Sequence, residues 1–72
     1  MNRKLLESNM KLHGDTNASL AKNLGISPTT FSYKKNESRG CEFTQREISK
    51  IKERYSLSAD DVDRIFFTDD VS

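Results

Sequence analysis

The 72-residue sequence lacks the features that stabilise many small proteins or attach them to membranes: disulfide bonds, metal sites and long apolar segments. It contains one cysteine, one histidine and no tryptophan, so it has neither the pair for an internal disulfide nor the spaced Cys/His set of a zinc site. No apolar run approaches the roughly 20 residues that cross a bilayer. No apolar core follows Arg3 and Lys4, so we expect no signal peptide. We therefore expect a cytoplasmic protein, without a membrane partner, a metal or a cofactor.

Patterns typical of catalysis are scarce as well. We find no nucleophile paired with a base, no glycine-rich phosphate loop and no carboxylate pair in a plausible pocket. A domain of this size also offers little concavity for a small-molecule substrate. Cys41 lacks a neighbouring base, which indicates an inert thiol, and His13 is typical of a cation at a helix C-terminus. The sequence thus predicts no enzyme and no catalytic residue.

Charge is nearly balanced overall but unevenly placed along the chain. The net charge is +1, with +4 in residues 1–40 and −3 in residues 41–72. A basic first half suits phosphate contact, whereas an acidic second half is expected to face away from DNA or toward a protein. Such a mild overall balance is unusual for a DNA-binding protein that acts alone.

Apolar residues recur at helical spacing, which predicts five short helices, no strand and an all-α single domain over residues 1–72. The first helix covers about residues 2–13 and ends at Gly14. Capping side chains at residues 15–17 begin the second helix. The third runs from Pro28 to about Asn36. We expect residues 37–43 to form a loop.

Two further helix starts carry strong capping patterns. Thr44 and Glu47 form a capping box, with Phe43 before it placed to pack on the helix. Ser58 repeats the device, with acidic residues after it that favour the positive end of the helix dipole. We expect residues 1–2 and 68–72 to fray.

The segment 17–36 is the most informative part of the sequence. Ala21 allows two helices to approach closely, and Gly25, four residues later, can take the left-handed backbone of a tight turn. Ser27 and Pro28 then restart the chain as N-cap and first helical residue. This layout is typical of a helix-turn-helix that lays its second helix in the DNA major groove.

A family resemblance rests on the run Leu20-Ala21-Lys22-Asn23-Leu24-Gly25-Ile26-Ser27, followed by Phe31. It resembles the Cro/CI-type, or XRE-like, helix-turn-helix family of phage and bacterial regulators. The resemblance implies a five-helix, lambda-repressor-like DNA-binding domain with the helix-turn-helix at helices 2 and 3. Size and acidic end are similar to small lytic-switch proteins of temperate phages, both Cro repressors and modulator-of-repression (Mor) proteins.

Two positions depart from the family pattern. Lys34 stands where the wider family often has an apolar core residue, so its stem must pack and snorkel or leave the core thin. Glu37 follows Asn36 where the family commonly has glycine, which places a negative charge near the expected backbone contact.

The candidate contact residues lie on and around the second and third helices and at the end of the fifth. For contact with DNA bases or with a partner protein, they are Ser27, Thr29, Thr30, Tyr33 and Lys34. For contact with phosphates, they are Lys22, Asn23, Lys35, Asn36 and Arg39. Because the first set lacks Arg, Asn and Gln, weak base discrimination is expected. Phe67 is a candidate for partner contact, since two adjacent rings at a helix end cannot both face inward.

Two functions remain open on this evidence. The first is a Cro-like transcriptional regulator that binds double-stranded operator DNA as a homodimer and occludes a promoter. The second is a Mor-like modulator or antirepressor that binds the DNA-binding domain of a CI-type repressor protein and controls its DNA binding.

Overall fold

The computed structural model describes residues 1–67; the fraying expected for residues 68–72 lies outside the described residues. The helices are α1 (Arg3–Leu12), α2 (Asn17–Leu24), α3 (Pro28–Lys35), α4 (Gln45–Tyr55) and α5 (Ala59–Phe66). Residues 1–67 contain no strand, which confirms the predicted all-α architecture of five helices. No helix in this range is both long enough and apolar enough to span a bilayer.

Short side chains at the N-caps start α2, α4 and α5 where the sequence predicts. Thr44 and Glu47 form the expected reciprocal capping box of α4. Ser58 does the same for α5 with Asp61, and Thr16 begins α2. These side chains satisfy amides that have no partner inside the helix, so each start is fixed locally.

The connection between α2 and α3 is a tight turn centred on Gly25. Its backbone is left-handed, with φ of 75°, and the Ile26 amide donates back to the Ala21 carbonyl at 3.0 Å. The Ser27 hydroxyl then accepts the Thr30 amide at 3.1 Å, with Pro28 in the first turn of α3. A left-handed turn followed at once by a capped start sets the second helix at a fixed angle to the first.

One apolar core holds the five helices together. Phe31 of α3 is fully buried, as are Leu6 of α1, Leu20 of α2, Ile51 of α4 and Ile65 of α5. Thus every helix contributes at least one side chain that is shielded from water. α1 packs against α5, and α2 packs against both α3 and α4. Since α3 buries little beyond Phe31 and its C-terminal end, its N-terminal half lies at the surface.

Two segments outside the α-helices, residues 37–43 and residues 1–2, have local structure that the sequence analysis did not describe. Residues 37–43 include a short 3-10 turn, Ser38–Gly40, beside left-handed Glu37 and Arg39. Residues 1–2, for which we expect fraying, make specific contacts in the structure. Asn2 accepts the Leu5 amide at 3.1 Å and its own amide donates to the Ile65 carbonyl at 2.6 Å.

Candidate binding surface on the third helix

The N-terminal half of α3 presents a row of hydroxyl groups. Ser27 and Thr29 are exposed, and Thr30 and Tyr33 are half-buried. The Ser27 hydroxyl donates to the Thr30 hydroxyl at 3.0 Å, so the capping pair is internally bonded. Four of the five predicted base or partner contacts therefore share one neutral, polar stretch.

Arg39 extends this surface beyond the helix. Its guanidinium carbon lies 4.9 Å from the centre of the Tyr33 ring, in the range of a cation–π contact. The left-handed backbone of Arg39, with φ of 55°, belongs to the turn that follows α3. Arg39, predicted as a phosphate contact, thus stands beside Tyr33 and is exposed.

Lys34, the fifth predicted base or partner contact, points into the fold. Its ammonium donates to both carboxylate oxygens of Glu47, at 2.7 and 2.8 Å. The Lys34 and Glu47 side chains are only 15% and 9% exposed. The lysine stem therefore packs inward, one of the two outcomes that the sequence left open.

Glu47 joins α3 to the start of α4. One of its oxygens accepts the Thr44 amide at 2.8 Å while the carboxylate also holds Lys34. Burial by itself raises the pKa of Glu47, but the hydrogen bonds from Lys34 and Thr44 outweigh it and the pKa lies below its ordinary value. Glu47 is thus ionised at neutral pH and neutralises Lys34.

Lys35 is held on the opposite side of α3. Its side chain is 10% exposed and its ammonium lies 3.3 Å from the Glu7 carboxylate. It donates to the Asn17 side-chain oxygen at 3.1 Å and lies over the Phe31 ring at 5.9 Å. This predicted phosphate contact is therefore a buried link between α1, α2 and α3.

Asn36 and Glu37, which follow Lys35, also form polar contacts with the N-terminal segment of the chain. The Arg3 guanidinium donates to the Asn36 side-chain oxygen at 2.7 Å, and the Met1 ammonium pairs with Glu37 at 3.1 Å. Consequently the four residues 34–37 each have a charged or polar partner from elsewhere in the chain. The C-terminal end of α3 is therefore bonded to other parts of the chain, whereas its N-terminal end is exposed to solvent.

Lys22 and Asn23 lie on α2, and both are exposed. Asn23 lines a shallow depression together with Lys50, Glu53 and Arg54 of α4. These two predicted phosphate contacts are therefore carried by a different helix from the hydroxyl row.

A groove of about 200 Å³ is lined by the apolar side chains of Phe43, Ile48 and Phe66 together with polar and charged residues, including Lys34, Glu37 and Glu42. Phe43 packs edge-on against both Phe31 and Phe66, while Phe67 is 57% exposed at the groove. As expected for two adjacent rings, one packs inward and the other faces solvent.

Two features of the surface were not found from the sequence. Leu12 is 80% exposed at the end of α1, whereas the helical period alone does not distinguish it from a core residue. The pairing of Glu7 and Glu47 with the lysines of α3 was also missed. A lysine at an inward position of α3 was a hint, but only the fold identifies its partners.

The comparisons with known proteins add nothing to this geometry, since no family model, no curated protein and no solved structure matches the chain. The case for function therefore rests on the surface that α3 presents.

Proposed function

We propose that this chain is a lambda-repressor-like helix-turn-helix protein that acts as a modulator of transcription by binding another protein. The partner that fits the resemblance is the DNA-binding domain of a CI-type repressor, whose DNA binding the chain would control. Support comes from one observation above all: both lysines of α3 are paired with carboxylates of the same chain, Lys34 with the buried Glu47 and Lys35 with the half-exposed Glu7.

This observation bears on the choice of partner through electrostatics. Affinity for DNA depends largely on how many phosphates a protein neutralises with Lys and Arg. Base recognition in the major groove relies mainly on Arg, Lys, Asn and Gln. α3 offers hydroxyl groups and one tyrosine, while Lys34 and Lys35 are already neutralised. That surface is poor at attracting a phosphate backbone.

The same surface suits a protein partner. Tyrosine and arginine are enriched where protein interfaces concentrate their binding energy. Tyr33 and Arg39 are stacked on each other next to exposed Thr29. We therefore place the centre of the interface at this pair.

Operator binding by a Cro-like homodimer is the second candidate. Lys22 and Asn23 are exposed on α2, and Arg39 is exposed beyond α3. These three could neutralise or bond phosphates on either side of a groove while the N-terminal half of α3 contacts bases. This function would depend on two exposed cations from the predicted contact set.

Titration calorimetry with the DNA-binding domain of a CI-type repressor tests the proposal. We expect binding by the wild-type chain and a loss of about 30-fold in affinity for Tyr33→Ala, the size of a hot-spot residue. Thr29→Arg should weaken binding as well, because it adds bulk and charge to the centre of the interface. The matched control is Ser49→Ala, at an exposed position of α4, which should bind normally.

The alternative outcome is equally clear. A gel shift at low salt in which the chain alone selects an operator over random DNA, together with no binding to the repressor domain, would support the Cro-like function. Retained repressor binding by both α3 variants would move the interface away from α3.

A further inference from the structure

We infer that Glu47 and Glu7 determine specificity by keeping this protein off DNA. Each carboxylate holds one lysine of α3 that could otherwise reach a phosphate. The inference rests on the proposed function, since it explains how a DNA-binding fold is confined to a protein partner. The residues act through Lys34 and Lys35, so they are positioning residues.

Glu47 forms the tighter of the two restraints. It meets the Lys34 ammonium with both oxygens, at 2.7 and 2.8 Å, and both side chains are largely shielded from water. The Thr44 amide fixes the same carboxylate at 2.8 Å. Lys34 is thus neutralised and turned toward α4, although its stem is long enough to snorkel outward when released.

Glu7 forms the looser restraint on the other side of α3. It lies 3.3 Å from the Lys35 ammonium, and its own side chain is 48% exposed. Arg3 approaches the same carboxylate at 3.9 Å, so Glu7 is shared between two cations. The Asn17 side chain provides Lys35 with a second, uncharged partner at 3.1 Å.

Stability alone does not account for a lysine–glutamate pair at this depth. Removing two charges from water costs about as much as their attraction returns, and apolar residues of similar volume often serve equally well. The pair does change the charge that α3 shows to DNA. Of the four cations in the predicted contact set, Lys34 and Lys35 are held and only Lys22 and Arg39 are exposed.

The expected effect of release can be calculated from counterion release. One additional phosphate contact changes the slope of log K against log salt by about −0.9, which corresponds to about tenfold tighter binding near 50 mM salt. Any carboxylate removed from the surface also raises the net charge by one. The gain in DNA affinity from this change in net charge must be distinguished from the gain caused by release of one particular lysine.

The test uses fluorescence anisotropy with a short labelled duplex of random sequence, over a salt series, on the full chain. Glu47→Gln keeps an oxygen for the Thr44 amide but loses the charge that holds Lys34. We expect about tenfold tighter binding and a slope steeper by about 0.9. The control Glu53→Gln changes an exposed residue of the same helix and should show only the smaller, general gain from one fewer negative charge.

The double variant Lys34→Gln with Glu47→Gln identifies the cause, because it has no lysine to release. Its affinity and salt slope should return to those of the wild type. A gain for Glu47→Gln that is no larger than for Glu53→Gln, or one that persists in the double variant, would overturn the inference.

Glu7→Gln provides a second test if the first variant melts below the assay temperature, because Glu7 is half-exposed and contributes little to the core. A smaller gain is expected, since Asn17 still holds Lys35, and it should disappear in Lys35→Gln with Glu7→Gln. No gain over Glu53→Gln would again refute the restraint. The repressor-binding assay fails or succeeds independently of these comparisons, so the two ideas are separable.

Discussion

The carboxylate of Asp15 forms a polar connection between helices whose removal we expect to destabilise the fold. It lies between α1 and α2 and accepts two hydrogen bonds from the Arg54 guanidinium, both at 2.8 Å. The Tyr55 hydroxyl and the Ser19 hydroxyl donate to it as well. His13 stacks on the Tyr55 ring at 4.6 Å. One buried side chain thus ties the start of α2 to the end of α4.

The perturbation is Asp15→Asn, which keeps the shape but removes the charge and one of the two accepting oxygens. Hydrogen bonds to charged groups contribute about 1.5–3 kcal/mol, against about 1 kcal/mol for neutral ones. The Asp15 side chain is 6% exposed, but that of Arg54 is 35% exposed, so solvent screens part of the attraction. We expect a loss of about 2 kcal/mol, which lowers Tm by roughly 8–16 °C for a domain of this size.

The effect should depend on pH in a definite direction. Hydrogen bonds from Arg54, followed by those from Tyr55 and Ser19, hold the pKa of Asp15 far below its ordinary value. A depressed folded-state pKa means that the stabilisation is fully present above the unfolded value of about 3.9 and is lost as the pH falls toward the folded-state pKa. The wild type should therefore lose stability between pH 5 and pH 2 more steeply than the variant.

Thermal unfolding followed by far-ultraviolet circular dichroism, at several pH values, measures both quantities. Asp60→Asn is the matched control, because it removes an exposed carboxylate in the first turn of α5 and should cost at most a few tenths of a kcal/mol. An Asp15→Asn protein within about 0.5 kcal/mol of the wild type at pH 7 would refute the reasoning. So would a difference that stays constant from pH 7 down to pH 2.

Three other predictions concern the backbone and the core. Gly25→Ala should cost about 1–2 kcal/mol in the free energy of unfolding, from left-handed strain alone, since no atom lies within 4 Å of the added methyl group; a chemical denaturation curve that coincides with the wild type would contradict this. Ser56→Gly should gain about 0.5–1 kcal/mol, because Ser56 ends α4 with φ of 53°. Ser49→Gly, in the middle of the same helix, should lose a similar amount, and equal effects of the two would rule out the conformational cause. Phe31→Ala should cost about 3–5 kcal/mol, comparable with the whole stability of a small core, so its circular dichroism at 37 °C should be that of a largely unfolded chain, unlike Phe31→Leu.

Much of the fold could be predicted because it is encoded in neighbouring residues. Thr44 and Glu47 fix the start of α4 within one helical turn, and Ser27 with Pro28 fixes the start of α3. Gly25 takes the left-handed backbone that ends α2. Each of these features needs only short-range sterics and hydrogen bonds, so the sequence pattern was sufficient to predict it.

The candidate binding surface could be predicted only in part. That Ser27 and Thr29 are exposed follows from the helical period around Phe31. The pairing of Lys34 and Lys35 could not be predicted from the sequence, because their partners lie on other helices. Glu47 lies 13 residues further along the chain than Lys34, and Glu7 lies on α1. No local pattern specifies which of several charged residues will meet.

The amino-acid sequence by itself determined that this chain is helical and where its helices begin, because periodicity and capping act over a few residues. Tertiary packing alone decided that the two lysines of α3 are neutralised from α1 and α4, and that Asp15 joins α2 to α4. Such pairings depend on how helices approach one another in space, and that approach determines how much positive charge the third helix can present to a partner.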